Sequence, residues 1–575
     1  VLTFGPSEDE PSAAITHWSP LHSLRPQQTL ASRVRAHLSP APTMARPPSN
    51  ADPHLLFRRT ERLPSVIHSN LPDPPVSTTA RLRAALTSDG VDRISSLPDS
   101  LLREIVSRLP AKDAARTAAL AERWRGIWRS TPIVLVDAHL SNSARASSPD
   151  VTAVVSRILS EHPGPFRCVH LMRSSMDARQ AHLRLWLRLL AARGVQELVL
   201  VNRPSPSEVP LPKTLFSIST LTRLYIGVWK FPDAAGLQGA SFPHLRELGI
   251  CSVAVESGDI DAVVARSPAL EILNIQGTMK GVRLCLVSNS LRCVQICAFV
   301  LESVDVVSAP CLERLILSEC LNPAGGSCTR VKIGNVPKLS LFGYVEPAKY
   351  ALEIQDTVIM AGIRTSASMM VTSVKTLSLK VRFGVHSEVK MVPSFLKCFP
   401  NVEALHIMSG KCDQPAGKLN VKFWEEVDPI VSVRLRMKVM TFLDYHAQQD
   451  EIAFLQYIFE NAQVLKYVLV SAINPRYTSL SMDDMTSTLY AMSDELWLSK
   501  FSFAVGGTHG PEGGEPWTFR RGANFSESDP LAPVKFIIRG PETHQQKPQV
   551  GKTQKQKPHA GKTSQQKPQA GKHRS

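Results

Sequence analysis

The sequence predicts an α/β protein in which three short N-terminal helices precede a solenoid of parallel strands joined by helices or loops, with disordered segments at both ends. Two patterns predict the ordered part: one apolar motif recurs ten times from residue 195 onward, and an apolar helix lies between two Leu-Pro pairs. Composition is the third observation. Of the 575 residues 43% are apolar, enough for a packed core, while prolines concentrate near the N-terminus and a Gln-Lys-Pro repeat lies close to the C-terminus.

The first ordered region is predicted at 91–132. It follows a Pro-, Ser- and Ala-rich segment, 1–90, which has no sustained period and is expected to be disordered. The stretch LPDSLLREIVSRLP reads as one helix, because its first proline suits a first helical turn and its last proline, Pro110, ends the helix. Two more short helices are predicted, near 113–120 and 122–130.

A leucine-rich-repeat domain is predicted over residues 150–420. Each unit has the pattern apolar-x-x-apolar-x-apolar, whose last two apolar residues lie two apart on a strand and so point to one side. Stacked units build a parallel sheet over a shared core. The first seven units are 21 to 26 residues apart, a spacing typical of leucine-rich repeats; unrelated strands of an ordinary α/β domain are the alternative. The units begin at residues 195, 221, 245, 270, 291, 312, 336, 374, 402 and 465.

Three regions are predicted after the repeats. Residues 421–500 are assigned to a terminal module with a helix followed by a strand over 450–470. Residues 505–530 are rich in Gly, Pro and Ser and are predicted to be loop. The low-complexity tail, 541–575, carries seven Lys and one Arg against one Glu. The net charge of +16 is therefore partly a property of the tail, and no nucleic-acid-binding domain is indicated.

The sequence offers no recognisable pattern for catalysis, metal binding or membrane insertion. Ten cysteines are scattered without a C-x-x-C pair, no histidines have metal-ligand spacing, and no apolar run reaches eighteen residues. We therefore expect a non-enzymatic protein without a cofactor, metal or membrane segment, with nucleic-acid contact at most through the basic tail. Scattered thiols suit a reducing compartment, which predicts the cytoplasm or the nucleus.

Residues 92–132, DRISSLPDSLLREIVSRLPAKDAARTAALAERWRGIWRSTP, resemble the F-box of plant F-box/leucine-rich-repeat proteins. The similarity lies in DRIS-LPD-LL, in LP-KDA-RT and in the spaced tryptophans, and the order of helices and repeats also matches. Residues 423–470 resemble the FBD region that ends many such proteins. The resemblance covers about residues 92–480, whereas the basic tail matches nothing in the family.

The resemblance implies the substrate receptor of an SCF-type cullin-RING ubiquitin ligase, which acts in protein degradation. The F-box of such a receptor binds a Skp-type adaptor, the adaptor joins a cullin, and the repeats bind a target protein. The receptor is non-catalytic and works by proximity. The alternative is a repeat scaffold for protein–protein interaction with a degenerate F-box, because alanines stand where bulkier or capping residues are usual, at Ala115, Ala118, Ala119 and Ala121.

Ten residues of this region are candidate adaptor contacts. An apolar residue recurs at every fourth position of the first helix, a stripe that a forty-residue unit buries with difficulty on its own. The two tryptophans of the third helix share one face, and tryptophan is favoured at interface hot spots. The alternative is that these side chains only pack against the first repeat. The candidates are Leu97, Pro98, Leu101, Leu102, Ile105, Leu109, Pro110, Leu120, Trp124 and Trp128.

The residues that flank the inward apolar pair of each repeat are candidate target contacts. In a leucine-rich repeat these positions face the concave side of the sheet. They mix acidic, basic and amide side chains without a dominant charge, which favours a protein or peptide partner over nucleic acid; a merely solvated face is the alternative. The candidates are Arg223, Tyr225, Glu247, Asn274, Gln295 and Arg314, with Glu197, Gln276, Lys338 and His406 at similar positions.

Overall fold

A computed structural model describes the chain in segments that contain the predicted helices and the solenoid. Bounds and contacts given below refer to these residues. They are 71–76, 92–140, 148–173, 176, 180–202, 209–232, 237–277, 281–298, 300–320, 328–347, 349–412, 423–473, 484, 487, 489, 501–505 and 517–533.

Three short helices form the N-terminal helical unit (residues 92–132). They are α1 Asp99–Ser107, α2 Ala111–Thr117 and α3 Glu122–Ser130. Pro98 and Pro110 stand directly before α1 and α2, where the missing amide of proline costs no helical hydrogen bond. An isolated bridge from Pro110 to Val134 joins the unit to the first strand that follows.

Fourteen strands of the described residues form one parallel sheet, here called the large sheet. Each strand pairs with the next repeat along the chain, so the sheet grows in one direction as the repeats are added. In spatial order the strands are β1 Ile133–Val136, β2 Phe166–Leu171, β3 Glu197–Val201, β4 Arg223–Gly227, β5 Glu247–Cys251, β6 Ile272–Gln276, β8 Cys293–Cys297, β10 Arg314–Ser318, β12 Leu341–Val345, β15 Thr376–Val381, β16 Ala404–Ser409, β17 Val439–Tyr445, β18 Tyr467–Ala472 and β19 Phe501–Val505.

Helices and a second, five-stranded sheet cover one face of the large sheet, here called the back face. In the longer repeats a helix connects one strand of the large sheet to the next. In the short central repeats the connection is a strand of the second sheet, along which buried and exposed side chains alternate. The second sheet contains β7 Val282–Val287, β9 Leu301–Ser308, β11 Thr329–Asn335, β13 Tyr350–Ile354 and β14 Thr357–Val358. The helices are α4 Ser148–Glu161, α5 Gln180–Ala192, α6 Asp259–Ala265, α7 His386–Cys398, α8 Val431–Leu435 and α9 Gln449–Asn461.

The predicted fold class, three helices followed by leucine-rich repeats, is confirmed. Nine of the ten predicted units place their apolar residues in the core behind the large sheet. The unit predicted at residue 336 is wrong by three residues. Its strand begins at Leu341, and Leu339 and Phe342 supply the buried positions, because the apolar Val336 belongs to the preceding turn.

The large sheet continues through the region assigned to a terminal module at 421–500. Strand β17 pairs in parallel with β16 on one side and with β18 on the other. The helix and strand predicted over 450–470 are α9 and β18. In the described residues this region therefore extends the solenoid and shares its core.

Two short segments lie on the opposite, front face of the large sheet. Residues 71–76, here the N-terminal strap, fall inside the segment predicted to be disordered. Residues 517–533, the C-terminal strap, contain the helix α10 Phe519–Ala523. The loop prediction for 505–530 is wrong for this part, because apolar side chains of the strap are buried against the sheet. The remainder of 1–90 and the tail at 541–575 lie outside the described residues.

The described residues hold no group of His, Cys, Asp and Glu side chains that could bind a metal ion. All ten cysteines of the chain are described, and none of them forms a disulfide. No described helix has both the length and the apolar character that a membrane-crossing helix needs.

Candidate functional site

An apolar strip is exposed on the first helix of the helical unit. Leu101 and Ile105 expose 51% and 36% of their surface, and their spacing of four residues places them on one side of α1. Leu120, which follows α2, exposes 41%, and Pro98 is also exposed. Large apolar side chains exposed on a small folded unit, two of them side by side on α1, indicate an interaction surface.

The core of the helical unit is made by the other side of the same helices. Leu102, Val106, Ala114, Trp124 and Ile127 are buried together. The prediction that Leu102 and Trp124 contact a partner is therefore corrected, since their surfaces are 0% and 4% exposed. The ring nitrogen of Trp124 donates a hydrogen bond to the hydroxyl of a serine that precedes α1, at 3.3 Å. The three helices thus have a complete core without the exposed strip.

Trp128 joins the helical unit to the repeats. It is half-buried and packs against both the core of the helical unit and the core of the solenoid. Its ring lies 4.8 Å from that of His162, which in turn stacks edge-on against Phe166 of β2. Trp128 therefore fits the alternative considered from the sequence, in which a candidate side chain packs against the first repeat. The remaining candidates, which are half-buried, are Leu97, Leu109 and Pro110.

The third helix begins without a side-chain cap. Ala121 occupies its N-cap position and has no group that could accept a backbone hydrogen bond. Arg123 instead fixes the start of α3 to α1: it donates to Asp99 at 2.6 Å and to the carbonyl of Leu97 at 2.7 Å. These groups are exposed, so the ion pair stabilises the unit only weakly.

Replacing Ala121 by Ser is expected to raise the free energy of unfolding by about 1 kcal/mol, because a serine hydroxyl at the N-cap accepts a backbone N–H of the first turn. Ala121 is exposed, so the hydroxyl fits. Urea denaturation of the two full chains measures the effect. Ala119→Ser changes an exposed alanine outside the cap position and is the control. Equal stability of the two variants would contradict the prediction.

On the front face of the large sheet, side chains from neighbouring strands lie side by side. Because the strands are parallel and in register, equivalent positions of successive repeats form rows across the sheet. One row contains Glu197, Arg223, Glu247, Ile272, Cys293, Arg314 and Leu341. The next contains Val199, Tyr225, Gly249, Asn274, Gln295 and Ile316.

Polar side chains of these rows bind one another across neighbouring strands. Arg223 donates to Glu197 at 2.9 Å and to Glu247 at 2.7 Å, and the Tyr225 hydroxyl also donates to Glu247. Asn274 donates to the Tyr225 hydroxyl oxygen at 2.9 Å. Gly249 makes this geometry possible, because a Cβ atom there would lie 2.2 Å from the Tyr225 ring. Burial, together with the Glu247 carboxylate, raises the pKa of Tyr225 well above its usual value.

The C-terminal strap is held by polar side chains of the front face, chiefly those of three residues. Arg314, only 5% exposed, donates to the carbonyls of Gly522 at 2.7 Å and Asn524 at 3.1 Å, and also to that of Glu527. Gln295 donates to the carbonyl of Phe519 at 3.0 Å. The third contact pairs His406 with Asp529, whose atoms Nε2 and Oδ2 are 2.9 Å apart.

Apolar side chains of the C-terminal strap complete its packing. Trp517, Phe519 and Leu531 form a buried cluster with Ile316, Leu341 and Tyr344 of the sheet. The Phe525 ring lies under two guanidinium groups, 3.7 Å from that of Arg292 and 4.9 Å from that of Arg314. Cation–π contacts of this kind add to the attraction between strap and sheet.

The N-terminal strap covers the first strands and is tied to the C-terminal strap. Leu71 is buried against front-face residues of β3, β4 and β5, such as Val201 and Tyr225. Arg520 of the C-terminal strap donates to the carbonyl of Leu71 at 2.8 Å and pairs with Asp73. A cavity of about 280 Å³ remains where the two straps meet the sheet. Its lining includes Arg223, Glu247, Asp73, Phe519 and Arg520.

The six candidate target contacts therefore lie beneath or beside the straps. Tyr225, Asn274, Gln295 and Arg314 are buried, so the prediction that they contact a target is corrected for this conformation, and the alternative of a merely solvated face does not describe them either. Arg223 and Glu247 are partly exposed and border the cavity. The strap residues that make these contacts were missed in the sequence, because they follow no period.

Models of known families match three parts of this chain. The F-box domain matches residues 94–135, the LRR repeats of the FBD-associated F-box protein At5g56370 match residues 183–407, and the FBD matches residues 425–469. The chain belongs to the plant F-box/leucine-rich-repeat proteins. The helical unit is its F-box, the exposed strip lies on the first F-box helix, and the solenoid contains its leucine-rich repeats.

Similar proteins of Arabidopsis thaliana are named for some or all of these domains. The F-box/LRR-repeat protein At3g26922 is 31% identical over 32% of this chain and 58% of its own length. The F-box/FBD/LRR-repeat protein At1g13570 is 28% identical over 32% of this chain and 44% of its own length. The putative F-box protein At1g67390 is 23% identical over 69% of this chain and 88% of its own length. The chain therefore covers only about half of the first two relatives.

Proposed function

We propose that this F-box/leucine-rich-repeat protein is the substrate receptor of an SCF-type cullin-RING ubiquitin ligase. The F-box binds a Skp-type adaptor and the repeats bind a target protein. The observation that carries the proposal is the exposed strip: the F-box core is complete without Leu101 and Ile105, and both side chains remain available to another protein.

The connection between F-box and repeats supports this division of labour. Trp128 and the bridge between Pro110 and Val134 attach the F-box directly to the solenoid. A target held on the repeats would then keep a defined position relative to the adaptor, which is how a receptor raises the effective concentration of a target. F-box/leucine-rich-repeat proteins are generally non-catalytic receptor subunits, and we propose the same role here, in the cytoplasm or nucleus.

Co-purification of the full chain with a Skp-type adaptor and a cullin tests the proposal. We expect the three proteins to elute as one complex in size-exclusion chromatography. A chain that unfolds cooperatively, and is therefore folded, but elutes apart from the adaptor at micromolar concentration would refute the proposed role. The folded state must be checked on the same sample, so that a failure to bind is not confused with a failure to fold.

A repeat scaffold without ligase coupling is the second candidate. The observation that favours it is the absence of a side-chain cap at the start of all three F-box helices, including the one that begins after Ala121. Such a protein would form a complex with its target without changing the abundance of that target. Accumulation of a bound protein after removal of this chain would exclude the scaffold and support the receptor.

A further inference from the structure

The C-terminal strap occupies the face that should bind the target, but it complements that face incompletely. Within the described residues, three buried polar atoms next to it have no protein partner: Gln295 Oε1, the Tyr344 hydroxyl and the Ser378 hydroxyl. Tyr344 belongs to the apolar cluster under the strap, and Ser378 is in register with His406. Buried polar atoms without partners are destabilising, so a different occupant could bind this face more tightly.

Arg314 shows which chemistry is missing. Its guanidinium group is buried, yet its hydrogen bonds from the described part of the chain go to carbonyl oxygens and not to a carboxylate. A buried cation is best satisfied by an anion with matching geometry, and an arginine binds a carboxylate through two parallel hydrogen bonds. His406 already binds the Asp529 carboxylate. The face thus presents two side chains suited to a carboxylate, Arg314 and His406, and the strap supplies a carboxylate only to His406.

The strap also holds its own shape. The Thr518 hydroxyl caps α10 by accepting from the amide of Arg521 at 3.2 Å. Arg521 donates to Glu527 at 3.0 Å and to the carbonyl of Ala532 at 2.8 Å. Bonds within the segment reduce the entropy lost when it binds, so the segment has the properties of a preorganised ligand.

From these contacts we propose that the front face around Arg314 and His406 is a binding site for an acidic, aromatic-containing peptide segment of the target, and that the C-terminal strap occupies this site in cis until the target displaces it. The inference rests on the proposed receptor function and specifies the substrate class. The strap supplies the aromatic anchors, one aspartate and the close backbone approach at Gly522. A target segment with a second carboxylate satisfies Arg314 as well.

A substitution at Gly522 is expected to disengage the strap while leaving every residue of the sheet unchanged. A Cβ atom at this position would lie 1.8 Å from Gln295 Oε1. The full chain with Gly522→Val should bind a fluorescein-labelled peptide of residues 517–533 at least tenfold more tightly than the wild-type chain, measured by fluorescence anisotropy. Ser528→Val, at an exposed position of the same strap, is the matched control and should behave as wild type. Adding Arg314→Ala to Gly522→Val should lower the affinity at least tenfold.

A second measurement keeps the test decisive if Gly522→Val misfolds. A protease cleavage sequence is inserted between Val505 and Trp517 of the full chain, and the cleaved protein is incubated with the labelled peptide. Exchange of the cleaved strap for the labelled peptide supports cis occupancy. A strap that stays bound after cleavage and does not exchange is an integral part of the fold, and that result overturns the inference.

The preference for a carboxylate is tested with two peptides that differ only at their ends. Residues 517–524 are synthesised with a free C-terminal carboxylate and as the C-terminal amide. The carbonyl of Asn524 lies 3.1 Å from Arg314, so the free carboxylate would bind beside that guanidinium group. The acid should bind Gly522→Val at least tenfold more tightly than the amide, and equal affinities would refute the acidic preference. Adaptor binding by wild type and Gly522→Val is measured alongside and should be equal. A wild-type chain that fails to bind the adaptor would refute the receptor proposal, whatever the peptides do.

Discussion

Replacing Leu101 and Ile105 together by Asp is expected to weaken adaptor binding at least about 100-fold. Fully burying one such side chain contributes roughly 1.5–3 kcal/mol, and both are already partly covered in the free chain, so about 3 kcal/mol is expected for the pair. Each 1.4 kcal/mol corresponds to a factor of ten in Kd. This result would make the strip of α1 the main contact between the proposed receptor and its adaptor.

Titration of immobilised adaptor with the purified chains measures the change. Because both residues are exposed, the free energy of unfolding of the double variant should lie within about 0.5 kcal/mol of the wild-type value. Leu185→Asp is the matched control, since Leu185 exposes 53% of its surface on α5, outside the F-box. Adaptor affinity that is the same in the double variant and in the control would place the attachment elsewhere.

Leu102 provides the opposite contrast on the same helix. It is fully buried in the F-box core, one residue away from the exposed strip. Its replacement by Ala should cost about 2–5 kcal/mol of stability, so any loss of adaptor binding would follow from unfolding of the F-box. The sequence pattern made Leu102 and the residues of the exposed strip equal candidates for adaptor contact. Only their packing in the structure shows that Leu102 stabilises the F-box, whereas the strip remains free for a partner.

The repeats were largely predictable because each strand carries its own apolar signature. Four strands of the large sheet, β1, β2, β17 and β19, were nevertheless missed. The sequences at β2 and β17 fit the pattern. Phe166 opens the unit of β2 and Met437 opens that of β17, and both side chains are buried at positions where most other units have an aliphatic residue. The unit at Met437 also divides the longest predicted gap, between residues 402 and 465, into two.

The covered front face could not be predicted from local patterns. The Arg314 hydrogen bonds to the C-terminal strap join residues more than 200 positions apart. Trp517, Phe519 and Leu531 have neither helical nor strand periodicity, so a Gly- and Pro-rich context alone predicted loop. The polar residues of the strands were correctly expected to point away from the core, but what covers them depends on tertiary contacts.

Histidine burial predicts that acid destabilises the N-terminal half of the protein. His162, between Trp128 and Phe166, is 5% exposed, and His170 on β2 is 2% exposed. Burial lowers the pKa of His162 to about 4; nearby Arg193 acts in the same direction and the Thr131 backbone opposes it. Burial also lowers the pKa of His170 to about 4, with a further contribution from Arg223.

These shifts fix the direction of the pH effect. In the unfolded chain a histidine takes up a proton near pH 6.5, whereas in the folded protein these two imidazoles stay neutral until about pH 4. The stability associated with the neutral rings is therefore fully present above pH 6.5 and is lost as the pH falls toward 4. Each histidine lowers the free energy of unfolding by about 1.4 kcal/mol per pH unit in that window, or by about 3 kcal/mol per histidine over the whole window.

Urea denaturation between pH 7 and pH 4.5 measures this loss of stability. The His162→Phe variant separates the contribution of His162 from that of His170. Phenylalanine keeps a ring between Trp128 and Phe166 but cannot take up a proton, so the variant should lose less stability with acid than the wild-type chain. His182→Phe, at an exposed position of α5, is the control. If wild type and His162→Phe lose stability in parallel, the ring that joins F-box and repeats is not kept neutral by burial, and the junction must be more open to water than its packing indicates.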